Sequence, residues 1–543
     1  MTTPPPPTDV ASVKVPPAAI PNPNPDGSTA PPTTEAVIQT RHEISDGWQC
    51  VVSTPVYTRN SSLDDSAVSV DLEKGEKPKA IMGVSYEPNI STQEELKAVK
   101  DAAPLPQKPA SRTWRFLRWN FFSVYRKAFT CVLTLNLVAI IVFLDQLNKN
   151  NSVATFQNAA TAASANFLAA ILIRNEHVIN LLFWLVCSLP VWAPLSIRRR
   201  AAKVYSYGGV HSGCGLSGTI WYMVFAVLAM TQYPSGGPIE TALAVTTGIT
   251  LMLLVIILIF AHPALRMKLH NHFEATHRYG GWSAILVLWV QTMLLVISNA
   301  QNQQVNFGVA LIKTPPFWLL VIITLLIIYP WTRLRSREVQ VERLSKHATR
   351  LHFKYTDLET CMAIRLTDAP LMETHGFATI PNYKEAGKGY SVLVSNAGDW
   401  TNKIINNPPK KIWVKGAPTW GVMRVALMFK KVLVVATGSG IGPCLSLLQS
   451  YPEYPVRVLW SAQDPEKTYG QGIIKSVFRS DPNAVIVDTK KTGRPDLLAL
   501  AYGMLVASEC EAAVVISNPS VTRKVVYGLE TRGVPAFGPI FDS

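Results

Sequence analysis

Residues 436–443 read ATGSGIGP, directly after the apolar run Val432-Leu433-Val434-Val435. A short buried strand runs into a glycine turn, and residues 444–449 (CLSLLQ) continue as a helix. That order offers backbone N–H groups and a helix N-terminus to a pyrophosphate. Glycine lets the backbone approach such a ligand closely. Gly438, Gly440, Gly442 and Pro443 are therefore candidate phosphate-binding positions, with Pro443 at a helix start, where proline is tolerated. Short glycine runs after strands are also common in ordinary loops, so the surroundings decide.

The surroundings upstream are membrane-like. The chain has 543 residues, room for two or three domains. Its mean hydropathy is positive at +0.17, and only 16% of residues are charged. Six apolar segments occupy roughly residues 128–147, 178–197, 212–230, 241–261, 282–298 and 316–331. Each is near the ~20 residues that span a hydrocarbon core. Basic clusters sit in 112–127, at Arg198, Arg199, Arg200 and Lys203, at Arg266, Lys268 and Arg278, and at Arg333, Arg335 and Arg337. All four fall on one side of a six-span bundle, which places both termini in the cytoplasm. The sequon Asn150-Asn151-Ser152 lies in the first outer loop and agrees with that. The lipid bilayer is the expected partner, with the plasma membrane favoured over endomembranes.

The net charge of +15 is then a topology signal, and with no zinc finger or homeodomain pattern no nucleic-acid partner is expected. Residues 111–127 alternate basic and aromatic side chains, which suits a helix lying on an anionic leaflet as well as a simple flank of the first span. Residues 1–110 are rich in proline and polar residues and are expected to be largely disordered, without a cleavable signal peptide. Within them, residues 91–100 (STQEELKAVK) start with a capping-box pattern that suits a short helix. Seven scattered cysteines with no CxxC pair argue against a disulfide framework or a zinc site.

From residue 337 the pattern turns soluble. Residues 338–356 alternate apolar and polar side chains with a turn at 345–348, and short β runs follow at 378–380, 390–394 and 411–414. These predict a small antiparallel barrel over 337–429. From residue 430, apolar strands at 432–435, 456–459, 484–487 and 513–516 alternate with helical stretches, which predicts a parallel α/β sheet over 430–543. The expected fold is a multi-pass helical bundle over 128–336, then a β-barrel, then a nucleotide-binding α/β domain. The ligand belongs at the carboxyl ends of the parallel strands.

That order resembles the ferric reductase/NADPH oxidase superfamily, whose soluble half is similar to ferredoxin–NADP reductase. Its layout is also similar to fungal membrane flavoproteins linked to asexual sporulation. His375-Gly376-Phe377 stands where the superfamily has a flavin motif, Gly398-Asp399-Trp400-Thr401 resembles its flavin-phosphate segment, and residues 438–443 match its nicotinamide-nucleotide turn. Trp460-Ser461, Thr468-Tyr469-Gly470 and Gly493-Arg494-Pro495-Asp496 recur in the same order. The resemblance implies FAD at His375, Phe377, Thr379, Gly398, Asp399, Trp400 and Thr401. It implies NAD(P)H at Thr437, Gly438, Gly440, Gly442, Pro443, Trp460 and Arg494. Two departures stand out. Gly376 and Ala378 replace a proline and a hydroxyl residue, and Ser517-Asn518-Pro519 replaces a cysteine–glycine motif. Cys444 suits close packing on nicotinamide and a plain buried position equally. A C-terminal aromatic, Phe541, is a flavin-facing candidate by resemblance alone.

The superfamily also holds haems between paired histidines. His211 and His277 lie at the cytoplasmic ends of two spans and could hold one b-type haem iron axially. An outer pair would need histidine 13–14 residues further along, where the chain has Val224 or Phe225 and Val290 or Gln291. His177 is assigned to the outer end of the second span. The expectation is a membrane oxidoreductase that passes electrons from NAD(P)H through FAD to a small-molecule or membrane-side acceptor, in fungal development or secondary metabolism. Its rivals are a catalytically degenerate sensor and a haem-containing ferric reductase.

Overall fold

The structure, a computed structural model, describes residues 41–44, 48–51, 90–149, 154–232, 237–382 and 387–540. The sequon at 150–152 and Phe541 lie outside the described residues. The chain divides into Met1–Pro78 and Lys79–Ser543. The described part of the first unit is an antiparallel hairpin, β1 (Arg41–Ile44) with β2 (Trp48–Val51).

The second unit opens with a helix, α1 (Gln93–Ala102), inside the stretch expected to be disordered. Thr92 and Glu95 form the reciprocal capping box that residues 91–100 predict. Leu96 and Val99 pack on the C-terminal α/β part of the chain, and Ser91 donates its N–H to the Ile486 carbonyl at 2.9 Å. The entropy cost of ordering this segment is met by a tertiary surface that hydropathy alone does not show.

The apolar helices are α2 (Val124–Asn148), α3 (Phe156–Leu172), α4 (Glu176–Cys187), α5 (Gly208–Gln232), α6 (Pro238–Ala261), α7 (Gly281–Gln303) and α8 (Pro315–Thr332). Among the described residues, five helical runs are long and apolar enough to cross a membrane, or up to six if the α3–α4 pair is one broken span. That pair is bent by 66°. The second predicted span, 178–197, is therefore corrected. Its helix stops at Cys187, and the chain then turns through Pro190 and Pro194. Ile179 and Phe183 enter the core of the soluble half, and Asn180 exchanges hydrogen bonds with the Pro418 carbonyl (2.9 Å) and the Trp420 amide (3.1 Å). His177 bonds Tyr329 at 2.6 Å, close to Arg333 at the end of α8, so its assignment to the outer end is also corrected.

The basic loop after α4 is docked as well. Arg198, 3% exposed, donates to the Ala193 and Met428 carbonyls and forks onto Glu511 at 2.8 and 3.2 Å. Lys203 pairs with Glu530 at 2.6 Å. Two charges read as topology markers are thus inter-domain ion pairs.

The soluble half begins three residues after α8. Strands β3 (Arg335–Glu338), β4 (Gln340–Arg343), β5 (Ala348–Phe353), β6 (Met362–Thr367), β7 (His375–Pro381), β8 (Tyr390–Ser395) and β9 (Lys411–Trp420) form one antiparallel sheet, order β3-β9-β6-β7-β8-β5-β4. Its two edge strands are consecutive in the chain, separated only by the buried Val339. One extended run therefore serves both edges and rolls the sheet on itself, leaving no long free edge. Helix α9 (Asp399–Asn406) follows β8.

Strands β10 (Val432–Thr437), β11 (Val456–Ala462), β12 (Val485–Asp488), β13 (Ala512–Ile516) and β14 (Ala536–Phe537) form a parallel sheet in the order β12-β11-β10-β13-β14. Its central strands are buried on both faces, as continuous apolar runs require. Helices α10 (Ile441–Ser450), α11 (Gln471–Ser480), α12 (Leu497–Ala507) and α13 (Pro519–Glu530) cover it.

Candidate functional site

Strand β10 lies between β11 and β13, so the chain reverses direction across the sheet there. The crevice at such a reversal, at the carboxyl ends of the strands, is where open α/β sheets take ligands. The turn Gly438–Gly440 fills that place, with α10 starting at Ile441. Gly438 adopts φ +51°, and a Cβ on Gly440 would stand 2.2 Å from the Ile516 carbonyl oxygen. Only glycine meets both demands. Thr437 and Ser517, at the ends of β10 and β13, join their hydroxyls at 2.5 Å. Gly442 packs on Leu393 of the barrel, and Pro443 is half-buried in the first turn of α10.

Other positions differ from their expected roles. Trp460 is fully buried and donates its indole N–H to the Gly438 carbonyl at 3.0 Å, so it braces the turn from inside. Cys444 is also fully buried, its thiol on the Gly440 carbonyl at 3.1 Å, and burial pushes its pKa well up. The structure decides for the plain buried reading. Arg494 is exposed in the turn before α12, on the carboxyl-end side of β12.

The expected flavin residues form an aromatic cluster at the barrel surface. His375 stacks on Trp400 with centroids 4.4 Å apart, and Phe377 lies 5.6 Å from the same indole. The Trp400 indole is tied to Asp368 at 2.9 Å, a partner that sequence spacing does not suggest. Two features fit a flavin: the aromatic surface, and His375 Nε2, which is buried with no hydrogen-bond partner. Burial holds that imidazole below its ordinary pKa, against the pull of Glu274, Glu373 and Asp368. Two expected contacts are corrected. Thr379 is fully buried and gives its hydroxyl to the Met362 carbonyl (2.9 Å). Thr401 uses its hydroxyl on the Ala397 and Gly398 amides (2.9 and 3.0 Å), fixing the start of α9. Gly398 and Asp399 are exposed beside it.

His211 and His277 do meet. Their ring centroids are 6.1 Å apart at an interplanar angle of 60°. Two metal–imidazole bonds of about 2 Å plus the ring radii give about the same separation, so the pair fits axial ligation of one iron. His211 Nδ1 lies 2.8 Å from the Ala170 carbonyl, which fixes its orientation. At the depth of a second haem the bundle instead holds a polar chain: Tyr222 donates to Gln291 (2.9 Å), and Gln291 to Thr247 (2.6 Å).

The two histidines line a cavity of about 1240 Å³ between the apolar helices and the barrel. Its mouth joins Arg174, Glu176, Arg365 and Lys415, with Glu176 paired to Arg365. No sequence period links these residues, which come from α3's end, α4, β6 and β9.

Residues 422–543 match the family described as Adenylate-forming reductase 03009, C-terminal domain. Over 438 residues the chain is 43% identical to Adenylate-forming reductase 03009 of Coprinopsis cinerea, covering 81% of this chain and 42% of that protein. Adenylate-forming reductase 06235 of the same fungus is 42% identical over 440 residues, with the same coverage of each. The chain thus spans about two fifths of the length of these curated relatives. Ferric/cupric reductase transmembrane component 7 of Saccharomyces cerevisiae is 31% identical over 90 residues, 16% of this chain and 14% of that one. A ferredoxin NADP+ reductase from Neisseria gonorrhoeae, solved with bound FAD and NADP, overlays 38% of this chain and 99% of its own at TM-score 0.31 and 12% identity.

The expected function is corrected by these relatives. An electron-passing membrane oxidoreductase of the ferric reductase kind rests on the 90-residue similarity. The similarity that runs through most of the chain is to adenylate-forming reductases.

Proposed function

We propose that the chain is the reductase portion of an adenylate-forming reductase system, converting a carboxyl group activated as an acyl adenylate to the aldehyde. The observation that carries this is the 43% identity over 438 residues, a stretch far longer than the soluble half, to a protein of that name. The activated acyl group comes from an adenylating unit.

The residues suit the step. The Gly438–Gly440 turn and the start of α10 present N–H groups and a helix dipole to the pyrophosphate of a nicotinamide dinucleotide. When bound there, the reduced nucleotide supplies a hydride. The acyl carbon accepts it, the carbon–oxygen bond to AMP breaks, and AMP leaves with the electron pair. Thr437 and Ser517 place hydroxyls at the strand ends, where they can orient the carboxamide or the acyl carbonyl. His375, Phe377 and Trp400 are the residues that would hold a flavin ring. The apolar helices, five long enough to span a membrane among the described residues or six with the bent pair, support work at a bilayer, and the basic clusters favour its cytoplasmic face for the strand-rich half.

The test uses the full chain with synthetic acyl adenylate and NADPH or NADH, trapping aldehyde as a hydrazone. Aldehyde equal to the nucleotide oxidised is expected. Nucleotide oxidation without aldehyde, or no reaction with any acyl adenylate, overturns the proposal. The visible spectrum of the same sample reports a bound flavin.

A further inference from the structure

The large cavity at the membrane–barrel junction has two chemically distinct ends. Its inner wall is apolar, formed by Phe129, Phe167, Leu254, Leu288, Leu320 and Ile323. Along α7 it is lined from Gly281 to Thr292, about 16 Å at helical rise. Its mouth is cationic, with six Arg and Lys side chains against three Glu. The carboxylates are engaged: Glu176 with Arg365, Glu373 with Arg278 at 3.9 Å, and Glu274 with His270 at 3.3 Å. Arg174 and Lys415 face aromatic rings, Tyr207 at 5.8 Å and Trp331 at 3.3 Å.

We infer that this cavity binds an amphipathic anion, a long-chain carboxylic acid or its adenylate, with its tail among the helices and its acidic head at Arg174, Arg278 and Lys415. The acyl identity rests on the proposed reductase activity; the tail-and-head geometry rests on the cavity. A dozen or more methylenes would leave water for a wall that is already apolar. The acidic head would relieve a local excess of positive charge. Burial first, then the guanidiniums of Arg365 and Arg278, push the Lys415 ammonium down to about 7, so an anion there restores it. A fork such as Arg174 or Arg278 suits carboxylate and phosphate alike.

The test is saturable binding of cis-parinaric acid to the full chain in lipid nanodiscs, read by fluorescence. Its methyl ester keeps the tail and removes the charge. The acid should bind at least tenfold more tightly than the ester, Arg174→Gln should weaken the acid about tenfold and the ester little, and Leu320→Trp should block both by filling the tail region. Circular dichroism and size exclusion confirm that each variant folds. Equal binding of acid and ester, or no effect of either variant, overturns the inference. So does a haem Soret band in the purified protein with no parinarate uptake, because a haem on His211 and His277 would occupy the same volume. Binding as expected without aldehyde production overturns the proposed activity and leaves the ligand class standing. Aldehyde production from an acyl adenylate with no uptake at the cavity does the reverse.

Discussion

Gly440 and Lys415 show how much one position can determine. At Gly440 the limit is steric: the nearest atom is backbone, which has no rotamer to move. Gly440→Ala should therefore cost about 1–3 kcal/mol and weaken nicotinamide-nucleotide binding at least tenfold. Thermal unfolding and nucleotide titration read the two effects separately. At Lys415 the limit is electrostatic. With its pKa pushed down to about 7, mostly by burial, the side chain is largely a neutral amine at pH 8, where ordinary lysines are protonated. Brief acetylation at pH 8 should label Lys415 several-fold ahead of the exposed Lys411, with a rate that rises through a midpoint near pH 7. Peptide mass spectrometry checks this, and a rate still climbing steeply above pH 9 would contradict the shifted amine.

At the scale of elements, α1 is the sharpest case. Its cap is local and readable in the sequence, but its place on the nucleotide domain is not. Leu96 and Val99 pack half-buried beside α12, and Arg532 donates to the Pro106 carbonyl at 2.7 Å. Val99→Asp should release the helix, lower stability by about 1–2 kcal/mol, and open residues 103–110 to protease while the rest of the unit stays resistant. The elements that were legible share a feature: their signal is short-range. Strands β10, β11 and β13 are compact apolar runs, and the glycine turn is contiguous with the first of them. Helix α4 was misplaced because Ile179 and Phe183 look the same whether lipid or protein covers them. The cavity mouth was missed for a related reason, since Glu176 and Arg365 meet across a sequence separation that carries no period. Thr379 falls within its predicted strand, whereas the strand predicted over 456–459 stops one residue short of Trp460 and in fact runs to Ala462; the direction of each side chain depends on packing.

At the scale of the molecule, the Arg198–Glu511 pair joins the helical half to the parallel-sheet half. Burial works to raise the Glu511 carboxyl, but hydrogen bonds from Arg198 and the Lys430 amide outweigh it and hold the pKa below its ordinary value. A depressed acid contributes stability above its unfolded pKa, about 4.3 for glutamate, and loses it as pH falls through the lower folded value. The junction should therefore hold at neutral pH and loosen in acid below about pH 4. Glu511→Ala leaves the buried guanidinium unpaired and should cost about 3–5 kcal/mol, with Arg198→Met in the same chain recovering much of the loss. Differential scanning calorimetry in detergent reads both.

Helix α4 carries a consequence for how this protein is made. The barrel and the parallel-sheet half take Ile179, Phe183 and the Asn180 amide from a segment that leaves the ribosome long before β3. The later half is thus completed against a surface already synthesised. Expressed alone from residue 337, it would show a bare apolar seam where α4 belongs and would aggregate. Supplied with residues 176–207 as a separate peptide, it should regain solubility. The later half is not a detachable cassette: a helix from the earlier half is part of its core.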